Sequence, residues 1–152
     1  MPTMRAATPN DAELIAGQRK RMFVDSGQAE SEAMQEVLRN FVAWVTPRLA
    51  DGSYLGWLLE EGGVAVAGAG MWIMAFPPHF LDAAPARAYL LNFYTEPAFR
   101  GRGLAQQLLD AALAEAHALG IKVVTLHASK FGKPIYERNG FEPTNEMMLL
   151  RG

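Results

Sequence analysis

The chain has no cysteine among its 152 residues. That excludes a disulfide framework, a thiolate zinc site and a cysteine nucleophile, and it makes the reducing cytoplasm the expected location. Positive charge is not in surplus either. Fourteen basic residues stand against sixteen acidic ones, for a formal net charge of −2, so the electrostatic footprint of a nucleic-acid binder is missing. No uncharged apolar run approaches the ~18 residues of a membrane-spanning helix. The opening "MPTMRAATPNDAE" lacks a basic stretch leading into an apolar one, so no secretion signal is expected. Neither G-x-x-x-x-G-K-[ST] nor H-E-x-x-H occurs. His79, His117 and His127 are too scattered to suggest a ligand set, and no metal is expected. Ser129 has no histidine–acid pair in a nucleophile-elbow setting.

What is present is an ordinary globular composition, 50% hydrophobic and 20% charged, in a length that fits one domain spanning 1–152. "TPND" reads as a helix start. Thr8 can cap, Pro9 suits the first turn, and Asp11 completes a T-x-x-D box. The spacing of Leu14, Ile15, Met22 and Phe23 predicts a helix over 9–24. A second helix is predicted through "MQEVLRNFVAWVTPRL", with Val37, Phe41, Trp44 and Val45 on one face and Pro47 near its end. Residues 53–60 and 64–74 read as strands around a Glu61-Gly62-Gly63 hairpin turn. A proline-rich loop (76–87) and a strong strand over about 88–96 follow, stopped by Pro97. Leu104, Leu108, Leu109, Ala112 and Leu113 mark an amphipathic helix ending near Gly120. A strand in "IKVVTLHAS", a short helix around 133–139 and a last strand near 144–150 complete a mixed α/β sheet covered on both faces.

The segment "FRGRGLA" joins a strand to this long helix. The first amides of a helix lack intrahelical partners and sit at the positive end of its dipole. Gly101 and Gly103 remove side chains that would obstruct a ligand, and Arg100 and Arg102 supply charge-assisted donors. The chemistry suits a diphosphate, although a tight strand–helix turn with exposed arginines would look the same. The third glycine of a dinucleotide fingerprint is absent.

"FRGRGLA", preceded by "NFYTEP", resembles the acetyl-CoA-binding motif Q/R-x-x-G-x-G/A of the GNAT (GCN5-related N-acetyltransferase) superfamily, matched by Arg100, Gly103 and Ala105. "LHASKFGKPIYERNGF", Leu126 to Phe141, resembles that family's C-terminal signature. The resemblance covers nearly the whole chain. It implies the GNAT fold, a mixed and mostly antiparallel sheet with helices on both faces. It implies acetyl-CoA held by Arg100, Gly101, Arg102, Gly103, Leu104 and Ala105, and direct acetyl transfer to a primary amine of a small molecule or peptide. "LLNFYTE" would run beside the pantetheine arm and splay from "VVTLHAS". In this reading Tyr136 is the proton donor to the leaving thiolate, although it would otherwise be a core aromatic. Glu96 binds or deprotonates the amine through water, caps the loop, or faces solvent. Asn92 shares the face of Glu96 in an ideal strand and positions substrate or water. His127 lends polar support. Trp72, Phe76 and the 76–86 loop line the acceptor side, where Glu96 or Asp82 meets a cationic amine. A homodimer is compatible with the chain. The competing readings are a catalytically degenerate CoA-binding domain and a protein-interaction domain.

Overall fold

The computed structural model describes residues 1–152. In chain order its elements are β1 (Thr3–Ala6), α1 (Ala12–Asp25), α2 (Glu32–Asp51), β2 (Tyr54–Glu61), β3 (Val64–Ala75), β4 (Ala86–Thr95), α3 (Leu104–Ala118), β5 (Val124–Leu126) and α4 (Lys133–Arg138). Single 3-10 turns occupy Pro9–Asp11 and Pro97–Phe99. The sheet runs β1-β2-β3-β4-β5. Its first three pairings are antiparallel and β4–β5 is parallel.

Strand parity divides the sheet into two faces. Tyr54 and Trp72 point toward α1 and α2, where Ile15, Ala16, Phe41 and Val45 meet them. Leu59, Ala69, Met71 and Leu90 point toward α3, which contributes Leu104, Leu108, Leu109 and Ala112. Leu108 and Leu109 have no exposed surface, and burial of each contributes about 1.5–3 kcal/mol. The glycines of β3 have a packing reason. A Cβ on Gly70 would collide with the Tyr54 hydroxyl, and one on Gly68 would collide with Gln18. These two glycines let polar groups lie directly on the sheet.

The first helix enters through the expected box. Asp11 accepts a hydrogen bond from the Thr8 amide at 2.7 Å. The same carboxylate is gripped by both Arg5 guanidinium nitrogens at 2.8 Å, which ties β1 to the helix start. The α2 helix continues to Asp51 with Pro47 near its end, as expected. The Thr46 hydroxyl donates to the Val42 carbonyl and Arg48 to the Trp44 carbonyl, both at 2.7 Å, reinforcing the turn that the proline weakens. Val37 is exposed, and the buried stripe is instead Met34, Phe41 and Val45.

Two more corrections concern the C-terminal third. The strand predicted in "IKVVTLHAS" shrinks to Val124–Leu126, because β4 and β5 share only three register pairs. The strand predicted near 144–150 does not form, and no regular element follows Arg138. A strand needs a paired edge, and no edge of this sheet pairs with residues 144–150. Met147, Met148, Leu149 and Leu150 are exposed.

Candidate active site

Parallel pairing of β4 and β5 ends at Leu90↔Leu126. Beyond this point β4 runs on to Thr95 while the chain after β5 turns away toward α4. A wedge therefore opens between the last two strands, at the β5 edge of the sheet. On the other side of β4 the register shifts between Gly68 and Gly70, so that Asn92 and Phe93 oppose a single β3 residue. Asn92 sits in the left-handed region at φ 60°. Such a bulge leaves ladder groups free and re-aims side chains. Asn92 turns toward α1 and Phe93 toward α3.

Asn92 is buried and fully engaged. Its amide donates to the Tyr54 hydroxyl at 2.9 Å, and its carbonyl oxygen accepts from Arg19 Nη1 at 2.8 Å. Burial pushes the Tyr54 hydroxyl up to about 12, with the Asn92 hydrogen bond and the Arg19 charge opposing it. Arg19 has no carboxylate partner. It packs over the rings of Phe23 and Phe41, and desolvation lowers its pKa. Neither Arg19 nor Tyr54 was singled out by sequence reasoning, because their convergence on Asn92 depends on the bulge.

Across the sheet, Tyr136 projects from α4 against Phe93 and Phe141, with ring centroids 5.9 and 5.7 Å away. Burial pushes its hydroxyl up to about 12, so the group carries its proton throughout the neutral range.

The loop after β4 presents its backbone. Gly101 and Gly103 adopt φ of 77° and 76°, a region where a side chain would be strained. Gly103 is the N-cap of α3 and no side chain caps the helix. The first amide to be satisfied is that of Gln107, which donates to the Gly103 carbonyl at 3.1 Å. The amides of Gly101 through Gln106 thus lie together at a positive helix end without a carbonyl partner. The arginines frame this row. Arg100 is held by the Thr95 carbonyl at 2.9 Å and by Asp25 at 2.8 Å. Arg102 reaches the Ala98 carbonyl at 3.3 Å.

Residues 23–152 match the family model described as acetyltransferase (GNAT) domain. The chain belongs to the GNAT family. A GCN5-related N-acetyltransferase from Ralstonia eutropha JMP134 is 38% identical and superposes with a TM-score of 0.94, covering 99% of both chains. A predicted acetyltransferase from Clostridium acetobutylicum, solved with acetyl-CoA, is 31% identical with a TM-score of 0.92, covering 99% of this chain and 96% of that one. The uncharacterized N-acetyltransferase YycN of Bacillus subtilis is 27% identical over 143 residues, 92% of this chain and 75% of its own length. The sheet with its flanking helices is the GNAT fold, and acyl transfer is the general activity of this GNAT chain's family.

The remaining candidates spread along the sheet instead of converging on the wedge, with Phe76 and Asp82 beside the other end, where β4 and β5 begin. Glu96, just past β4, is paired to Arg21 of α1 at 3.1 Å, not to Arg100 or Arg102. Asp82 accepts from the Ala84 and Lys122 amides at 3.0 and 3.2 Å and fastens the 76–86 loop to the approach of β5. Those amides hold its carboxyl below the usual range. Trp72 stacks edge-on against Trp44 of α2, and Phe76 lies beneath Arg87. His127 bonds Tyr89 at 2.6 Å and faces Glu146 at 3.2 Å. Tyr89 and Glu146 gave no signal in the sequence, since a contact across 38 positions follows only from the β4–β5 register.

Proposed function

We propose that the chain transfers an acetyl group from acetyl-CoA directly to a primary amine of a small molecule or peptide. The observation that carries this reading is the row of unpartnered amides from Gly101 to Gln106 at the head of α3. Six adjacent donors with no acceptor suit the oxygens of a diphosphate, and the residues present therefore fit CoA. Arg100, Gly101, Arg102, Gly103, Leu104 and Ala105 would hold it, with the two guanidinium groups adding charge. Acetyl-CoA supplies the activated acyl group as a thioester.

Tyr136 stands on the α3 face beside Phe93 with a protonated hydroxyl, suited to donate to the departing sulfur. Asn92 orients the acceptor side through the bulge it fixes, because both ends of its amide are engaged. Glu96 draws in a cationic amine, with water between them. Its ion pair with Arg21 must loosen before it takes up a proton itself. Attack by the amine needs no covalent protein intermediate.

The test is thiol release from acetyl-CoA with a panel of amines. Acceptor-dependent release supports the reading. CoA binding by calorimetry without release from any amine would instead identify a catalytically degenerate CoA-binding domain.

A further inference from the structure

We propose that Tyr89, His127 and Glu146 form a proton relay that receives the proton of the attacking amine on the α1/α2 side of the wedge. The relay deepens the acetyl-transfer reading and rests on it. Tyr89 pairs with Thr125, one rung before the β4–β5 ladder ends, and His127 lies just past the last rung. Residues 125 and 127 share strand parity, and the Tyr89 hydroxyl meets His127 Nδ1 at 2.6 Å. His127 Nε2 lies 3.2 Å from Glu146 Oε2. The pair thus stands where the strands part, on the face opposite Tyr136.

The direction of the relay follows from its end group. A carboxylate only accepts, so Glu146 at 3.2 Å favours the neutral ring form whose Nε2 carries the hydrogen. Nδ1 then keeps its lone pair and accepts the Tyr89 O–H. The phenol oxygen keeps lone pairs that this hydrogen bond does not use, and an amine N–H can donate to one of them. As the new N–C bond forms and the C–S bond breaks, the amine proton passes to the Tyr89 oxygen. The Tyr89 proton passes to His127 Nδ1, and the sulfur takes its proton from Tyr136. The imidazolium then stands between Tyr89 and the Glu146 carboxylate, the arrangement that stabilises a histidine base elsewhere. Return of the His127 proton to solvent and reprotonation of Tyr136 leave no net change.

The surroundings fit this order of events. Burial and two charges act on the Tyr89 hydroxyl besides His127: burial raises its pKa, the Arg19 charge from α1 lowers it, and the Glu146 charge from the tail raises it. The phenol therefore starts protonated, and Arg19 steadies it as its proton moves. Return of the proton to solvent is open, since the His127 and Glu146 side chains are 56% and 67% exposed. Glu96, committed to Arg21 beyond the far end of β4, is left to attract the acceptor. Tyr89 is the catalytic residue of the relay, His127 the proton store, and Glu146 the positioning residue.

The decisive experiment combines kinetics with a tautomer measurement. Tyr89→Phe and His127→Ala are expected to lower kcat/KM for the amine about 10–100-fold, with CoA affinity by calorimetry within about twofold of wild type. Added imidazole restores part of the His127→Ala loss. Glu146→Gln shifts the pH profile of kcat/KM, which mere loss of a tail contact would leave in place. Nitrogen-15 spectra of the resting protein are expected to show the Nε2–H tautomer of His127. An Nδ1–H imidazole, or wild-type kcat/KM and pH profile in Y89F and H127A, overturns the relay. Silence of the wild-type protein with every amine refutes acetyl transfer itself, a result the tautomer measurement keeps separate.

Discussion

At the scale of single residues, the proposed proton donor and the proposed relay lie on opposite faces of one sheet. Tyr136 lies in apolar surroundings that hold its proton to about pH 12. Tyr136→Phe keeps the ring contacts with Phe93 and Phe141 and removes only the hydroxyl. Its kcat is expected to fall roughly 10–100-fold, toward the low end of acid–base effects, while CoA affinity is unchanged. A wild-type kcat, measured where chemistry limits turnover, removes the assignment. Glu96→Gln breaks the ion pair with Arg21, whose partners are 30% and 46% exposed. Stability is therefore expected to move by less than about 1 kcal/mol, while kcat/KM for a cationic amine falls. Weakened CoA binding with intact amine kinetics would assign Glu96 to the loop instead. Gly70 makes a related point from the interior. Alanine there drives into the Tyr54 hydroxyl that supports Asn92, so G70A is expected to disturb the bulge and lower activity through a site it never touches.

At the scale of elements, the head of α3 offers the sharpest test. Gly103→Val places a β-branched residue at φ 76°, a strain of about 1–2 kcal/mol. The folded protein is expected to lose most CoA affinity by calorimetry while its circular dichroism stays native. The β1–α1 junction predicts a pH dependence. The Arg5 hydrogen bonds, followed by the Thr8 amide against an opposing desolvation, hold the Asp11 carboxyl below its usual range. A depressed folded-state pKa contributes stability above the unfolded value and loses it as pH falls through the folded one. Wild-type stability is accordingly expected to fall below about pH 4. Asp11→Asn, which costs about 1–3 kcal/mol at neutral pH, should flatten that decline in urea titrations.

These elements also show what the sequence made legible. The long helix after Gly103, the hairpin at Gly62-Gly63 and the strand into Thr95 carry strong periodicity and turn chemistry, and they stand where the pattern placed them. Pro47 stands near the end of α2 where the pattern placed it, and side chains of Thr46 and Arg48 reinforce its turn. Asn92 was visible as a candidate, but its left-handed backbone and its capture by Arg19 and Tyr54 required the bulge. Periodicity carries no register, so the approach of Tyr89 to His127 lay beyond it.

For the whole molecule, the exposed stretch after Phe141 separates stability from activity. Residues 142–152 form no element and remain on the surface. A chain ending at Phe141 is expected to melt within about 4 °C of the full one yet to turn over more slowly, because Glu146 is gone. A large loss of melting temperature would show that the tail carries packing. The two halves of the sheet differ in the same sense. β2 and β3 share eight register pairs and β4 and β5 only three. That parallel ladder is the shortest in the sheet, and β4 runs on alone beyond it. Amides of Val124 to Leu126 are expected to exchange with solvent well before those of β2 and β3, by local opening rather than global unfolding. A ligand lying between β4 and the chain after β5 would hold this ladder closed, and saturating acetyl-CoA should slow that exchange in proportion to its occupancy. The molecule would then be stiffest at the moment it is loaded and most compliant just after release, and the cycle of turnover would be written in the breathing of three rungs.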